Sequence, residues 1–77
     1  MANNREYYKT RKPFTPVIGE SYKNENGYIY TCVGFDEKTN NPIMQSLGGW
    51  RCICNSVGIY CDGCIDWAAS YGGYFVK

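Results

Sequence analysis

The sequence predicts an all-β domain, a small bent antiparallel sheet closing into an SH3-like or OB-like barrel of five to seven short strands. Three observations predict it. Segments rich in β-branched and aromatic residues recur along the chain, with turn residues about every 8–12 positions between them. Asn26-Gly27 and Asp62-Gly63 are hairpin signals placed between such segments. Finally, 77 residues form one domain, and a chain this short buries only about 60% of its unfolded surface. Rolling the sheet up removes edges that it cannot otherwise protect.

Taken in order, Pro13 and Pro16 keep the entry segment extended. "VIGESYK" (17–23) is a short strand, and "NENG" (24–27) turns the chain, Gly27 supplying the positive φ. "YIYTCVGF" (28–35) is the strongest strand, and "DEKTNNP" (36–42) is a polar loop. "IMQSL" (43–47) follows, ended by Gly48-Gly49. "WRCIC" (50–54), "GIYC" (58–61) and "CIDWAA" (64–69) are three short strands, the last two joined by a two-residue type I′ turn at Asp62-Gly63. "SYGG" (70–73) turns once more, and "YFVK" (74–77) is the final strand. Two helical turns over 65–71 compete with this reading but are marginal in length.

Net charge is +1, which by itself points to neither nucleic acid nor membrane. Its distribution is uneven. Residues 1–12 carry Arg5, Lys9, Arg11 and Lys12 against Glu6, while 13–77 carry four basic and six acidic side chains. The division predicts a flexible basic arm over 1–12 and a single β domain over 13–77. The arm either stays solvated or touches phosphates or an acidic partner. No aliphatic run follows Met1, and nothing approaches the roughly 20 apolar residues of a membrane span. The expectation is a cytoplasmic protein with no membrane partner.

Four of the five cysteines lie in C-I-C-N-S-V-G-I-Y-C-D-G-C (52–64). If 50–54 pairs with 58–61 and the Asp62-Gly63 turn sets Cys61 opposite Cys64, alternation defines two faces. Ile53, Tyr60, Ile65 and Trp67 then make the core face, and all four cysteines share the other. As a zinc ribbon, Cys52, Cys54, Cys61 and Cys64 would be the ligands. A flat sheet opposes this, because the outer cysteines of the row would stand about 10 Å apart. Tetrahedral thiolates on one zinc lie less than about 4 Å from each other. The favoured reading is five reduced thiols used as small apolar residues, with no metal and no cofactor.

The chain has no histidine, so the commonest general base and metal ligand is missing. No paired carboxylates and no phosphate loop replace it, and the expectation is a protein that is not an enzyme. What remains is aromatic surface. Eight tyrosines and two tryptophans exceed what so small a core buries. Tyr28, Tyr30, Trp50, Arg51, Tyr71 and Tyr74 are the candidate binding residues, suited to protein interfaces or to stacking nucleobases.

The segments "GESYKNENGYIYTCVG" and "GGWRCICNSVGIYCDGCIDWAASYGGYF" (within 19–75) resemble small proteins encoded by phages and prophages of Gram-positive gut bacteria. The shared pattern is a G-x-x-Y strand, an N-G turn, a G-W, a Y-x-D-G-x-I-D-W hairpin and a G-G-aromatic end. The resemblance implies a class and transfers no site residues. Such proteins antagonise host defence by covering a defence protein, as anti-CRISPR proteins do, or by sequestering a signalling nucleotide, as sponge proteins do. The expected partner is therefore a host defence protein or a nucleotide, with homo-oligomerisation allowed. A nucleic-acid- or nucleotide-binding β module using the basic arm is the alternative, and a zinc ribbon the second.

Overall fold

Three hairpins of one design shape the molecule. The computed structural model describes residues 4–76, with side chains from Glu6 onward. Glu25-Asn26-Gly27, Leu47-Gly48-Gly49 and Cys61-Asp62-Gly63 are each three-residue loops whose last glycine has positive φ, between 88° and 96°. In each, that glycine's amide donates to the carbonyl three residues back: Gly27 to Asn24, Gly49 to Ser46 and Gly63 to Tyr60. This is a type I turn followed by a left-handed residue, the usual three-residue hairpin connection. The side chains of Asn24, Ser46 and Asp62 accept further backbone amides and lock the loops.

The elements in chain order are helix α1 (Asn4–Lys9), then strands β1 (Lys12–Pro13), β2 (Ser21–Lys23), β3 (Ile29–Phe35), β4 (Pro42–Ser46), β5 (Trp50–Asn55), β6 (Gly58–Ile59), β7 (Ile65–Asp66) and β8 (Ala69–Phe75). They form two antiparallel sheets: a five-stranded sheet ordered β2-β3-β4-β5-β8 and a three-stranded sheet ordered β1-β6-β7. The expected small all-β domain is what forms. Among the described residues no ladder joins β2 to β8, so the larger sheet is open at both edges.

The sheets meet through the inner face of the large one. Tyr30, Cys32, Met44, Cys52 and Cys54 lie on that face by register and alternation. Cys32, Met44, Cys54 and Ile65 have no exposed surface, and Cys52 and Val57 are buried with them. Phe14, Tyr22, Phe35, Ile59 and Trp67 pack around this cluster. A backbone bridge from Asn24 to Ile65, with the Glu25 amide donating to the Ile65 carbonyl, pins the β2–β3 turn to the small sheet.

Several expectations are corrected. The strand expected over 17–23 is only Ser21–Lys23. β5 pairs with β4 and β8 rather than with β6, because those longer strands offer longer ladders than two-residue β6. The β6–β7 hairpin sets Ile59 opposite Ile65, one position away from the expected register. The loop has three residues where a type I′ turn has two, and a one-residue slip exchanges the faces of a strand. Ile65 and Trp67 keep their inward direction. Ile53 moves to the outer face of the large sheet, and Tyr60 moves to the far face of the small one.

The cysteines therefore do not share a face. Cys52 and Cys54 are core residues with sulfurs 3.7 Å apart, Cys61 is exposed at the hairpin tip, and Cys64 is half-buried beside it. The expected turn over 70–73 is strand instead. Gly72 (φ 64°) and Gly73 form a bulge in β8, with one extra residue opposite β5 between Arg51 and Ile53. Residues 65–71 are extended, so the competing helix does not form.

In place of a free arm over 1–12, the described part is docked. Tyr7 of α1 stacks on Tyr60 with ring centroids 4.6 Å apart, and Tyr8 meets the same ring edge-on at 5.7 Å. Arg11 lies flat over Gly58, where any side chain would collide with it. Its Nε donates to Asp66 Oδ1 at 2.6 Å, and its Nη2 donates to the Ser56 carbonyl.

Candidate binding groove

The small sheet covers only part of the inner face of the large one. Ladder register places Tyr22, Tyr30, Ser46, Trp50 and Phe75 in one row across five strands, on the same side as the core cysteines. Tyr30 is held at the boundary by an edge-on contact with Trp67, centroids 5.0 Å apart. Beyond that contact the face is bare.

There Tyr28, Ile29, Tyr30, Ser46, Leu47, Gly48 and Trp50 line a concave groove of about 430 Å³. Leu47 stands on the tip of the β4–β5 loop with 83% of its surface exposed, and Tyr28 is 68% exposed on the facing wall. Phe75 extends the floor past Trp50, their centroids 4.9 Å apart, and is 69% exposed. Trp50 lies over Gly73, where the absence of a side chain leaves room for the indole. The lining holds no charged side chain.

The structure brings together three of the six candidate binding residues: Tyr28, Tyr30 and Trp50. Arg51 points to the outer face, half-buried, with its Nε donating to Gln45 Oε1 at 2.7 Å. Tyr71 and Tyr74 are on that outer face too, opposite Ile53 and Arg51. The Tyr71 hydroxyl donates to Thr39 Oγ1 and accepts from Asn41 Nδ2, at 3.1 and 3.3 Å.

Leu47 and Phe75 are the members that reading the sequence missed. The signal for Leu47 was its place just before Gly48-Gly49, since an apolar residue in a tight loop has nowhere to be buried.

The basic arm does not reach the groove. Arg11 is committed to Asp66, while Lys12 borders a separate hollow with Thr10, Ile59, Tyr60 and Cys61. Lys9 is exposed on α1, and the Arg5 side chain lies outside the described ones. A second cleft, of about 450 Å³, lies across the Tyr30–Trp67 wall. It is lined by Tyr8, Asn24, Glu25, Asn26 and Asp66 and is polar and acidic.

Asp66 anchors the small sheet. It accepts from Arg11 and from the Tyr60 hydroxyl. Burial, then the hydrogen bond and charge of Asp66, push the Tyr60 phenol up to about 12. Burial likewise raises Cys54 and Cys32, so both stay neutral thiols. Cys64 is raised by burial and by Asp62. The Cys64 backbone amide holds Asp62 below the ordinary carboxylate range.

The four cysteines of the zinc reading are split between the core and the hairpin tip. Among the described residues, no three histidine, cysteine or acidic side chains are grouped to hold a metal ion. No helix among them is long and apolar enough to cross a membrane. Comparison with protein-family models, curated proteins and solved structures finds no match to this chain.

Proposed function

We propose that the chain is a non-enzymatic binding protein whose aromatic groove docks on an apolar surface of a partner protein. One observation carries the reading: Tyr28, Leu47, Trp50 and Phe75 hold large apolar area exposed around one end of the large sheet, where a monomer gains nothing from it. Aromatic anchors of this kind dominate the energy of protein interfaces.

Charge selects the type of partner. A phosphate-bearing ligand needs cations or aimed amides at its site, and the groove lining has no cation. The neighbouring cleft carries Glu25, whose carboxylate repels an anion, while Asp66 there is paired with Arg11. A protein is therefore favoured over a nucleotide or a nucleic acid.

The resemblance to small phage and prophage proteins supplies the setting, antagonism of a host defence protein in the bacterial cytosol. In fold terms the module is a half-rolled relative of SH3-like or OB-like sheets, with the inner face left free as a docking surface.

Tagged wild-type chain, Trp50→Ala and Lys12→Ala are compared in lysates of a Gram-positive host carrying a defence system. The wild type and Lys12→Ala retain one defence protein at stoichiometric level and relieve its block on phage plating. Trp50→Ala weakens retention by roughly 30-fold or more, as loss of a buried aromatic anchor does. Equal retention by Trp50→Ala, or loss in Lys12→Ala alone, overturns the groove reading. Binding of a nucleotide in its place moves the function to the alternative.

A further inference from the structure

The two edges of the large sheet are treated differently. β2 is three residues long, carries Lys23 and follows Glu20, which is how natural proteins blunt an edge. β8 is seven residues long and exposed throughout. Residues 67–76, which contain it, include no charged side chain and no proline. An open, uncharged edge of this length is a template for another strand.

The sequence of β8 says which strand. Its centre, Ser70-Tyr71-Gly72-Gly73-Tyr74-Phe75, reads Tyr-Gly-Gly-Tyr in either direction. In an antiparallel pair about a two-fold axis, residue i faces residue j and j faces i. An axis between Gly72 and Gly73 sets Tyr71 against Tyr74 of the second copy and glycine against glycine.

In a regular strand this would fail, because residues three apart point to opposite faces. The bulge removes the conflict. Tyr71 pairs with Ile53 and Tyr74 with Arg51, so both tyrosines lie on the outer face. The one-residue insertion that looks like a defect within the sheet makes the edge self-complementary.

We infer that β8 is a homodimer edge, pairing antiparallel with β8 of a second copy about a two-fold axis at Gly72-Gly73 to give a continuous ten-stranded sheet. Tyr71 and Tyr74, 41% and 51% exposed, flank the seam in each copy. At about 200 Å² per aromatic side chain they offer roughly 180 Å² per copy, so the pairing rests mainly on the backbone hydrogen bonds of the open edge. No like charges oppose one another across the seam. The groove stays on the inner face of each copy, so this inference stands independently of the partner proposed for it.

Sedimentation velocity and native mass spectrometry of the full chain, from low to high micromolar concentration, test it beside Tyr74→Glu. The wild type is a dimer. Tyr74→Glu places a carboxylate at both ends of the seam while leaving Arg51 as its neighbour within the chain, and weakens the dimer roughly ten- to hundredfold. Hydrogen exchange guards against a folding artefact. Amides of 69–75 slow as wild-type concentration rises, those of β2 do not, and in Tyr74→Glu the core strands keep their protection. A wild-type monomer at high micromolar concentration overturns the inference. So does a dimer untouched by Tyr74→Glu, or concentration-dependent protection at β2 or the groove in place of β8.

Discussion

The Trp50 indole occupies the space a Cβ on Gly73 would need, so the tryptophan holds its place only because position 73 is glycine. That pair shows how single residues serve the groove: the strand gives up a side chain, and the sheet gains a flat aromatic floor. The cysteines divide in the same local way. Cys32, Cys52 and Cys54 are buried and fill space beside Met44, whereas Cys61 faces solvent. Cys64 is half-buried, and burial and Asp62 hold its thiol above the ordinary range. Ellman's reagent on the native chain therefore modifies Cys61 quickly and Cys64 slowly, and reaches the other three only in denaturant. Rapid reaction of all five thiols would show that the core assignment is wrong.

At the scale of elements, the small sheet is held between two layers. Ile59 and Ile65 face the large sheet, while Gly58, Tyr60, Cys64 and Asp66 face α1 and Arg11. Six residues cannot form a stable helix alone, so α1 depends on its stacking against Tyr60. Tyr60 ties this contact to pH. Its folded pKa of about 12 lies above the ordinary phenol value near 10. The neutral form is thus favoured by folding. Its contribution is complete below about pH 10 and is lost as pH rises toward 12. Tyr7, raised by burial and then by its bond to Asp62, shifts in the same direction, and Glu25 adds to the effect on Tyr60. Thermal melts followed with tyrosinate absorbance should show Tm constant to about pH 10 and falling beyond it. Tyr60→Phe keeps the ring stacking and shows a shallower alkaline fall. A Tm insensitive to pH up to 12 would contradict the network.

What was legible at this scale follows from what is local. β3, β4 and β5, the polar loop before β4 and the Gly27 turn were readable because propensity and turn chemistry agree there. The hairpin at Asp62-Gly63 was legible as a turn, but its loop length was not. Asp-Gly suits both a two-residue and a three-residue connection, and the difference decides which residues of the two strands share a face. Gly72-Gly73 reads as a turn from sequence alone. Only the indole lying over it explains a bulge within a strand. α1 carries no periodicity long enough to detect, and Arg11 looked like free charge because its partner, Asp66, is 55 positions away.

For the whole molecule, of extents 42 × 25 × 20 Å, a five-stranded sheet is covered in part by a three-stranded one. The exposed aromatics are a consequence of that mismatch, and they fall into two groups with separate uses: the inner groove of Tyr28, Tyr30, Leu47 and Trp50, and the β8 edge. The sequence presents six candidates as one set because counting aromatics cannot tell one face of a sheet from the other. Register can. It unites Tyr28, Tyr30 and Trp50, sends Tyr71 and Tyr74 to the outer face, and removes Arg51 and the basic arm from the groove.

The most direct test of the groove uses the chain's two tryptophans. Oxidative footprinting read by mass spectrometry compares Trp50 and Trp67 in the free chain and in the complex with the retained host protein. Trp50, on the open groove, is predicted to be modified in the free chain and protected in the complex, while Trp67, packed on Tyr30, changes little. Trp50 remaining as reactive in the complex as in the free chain would contradict docking through this groove.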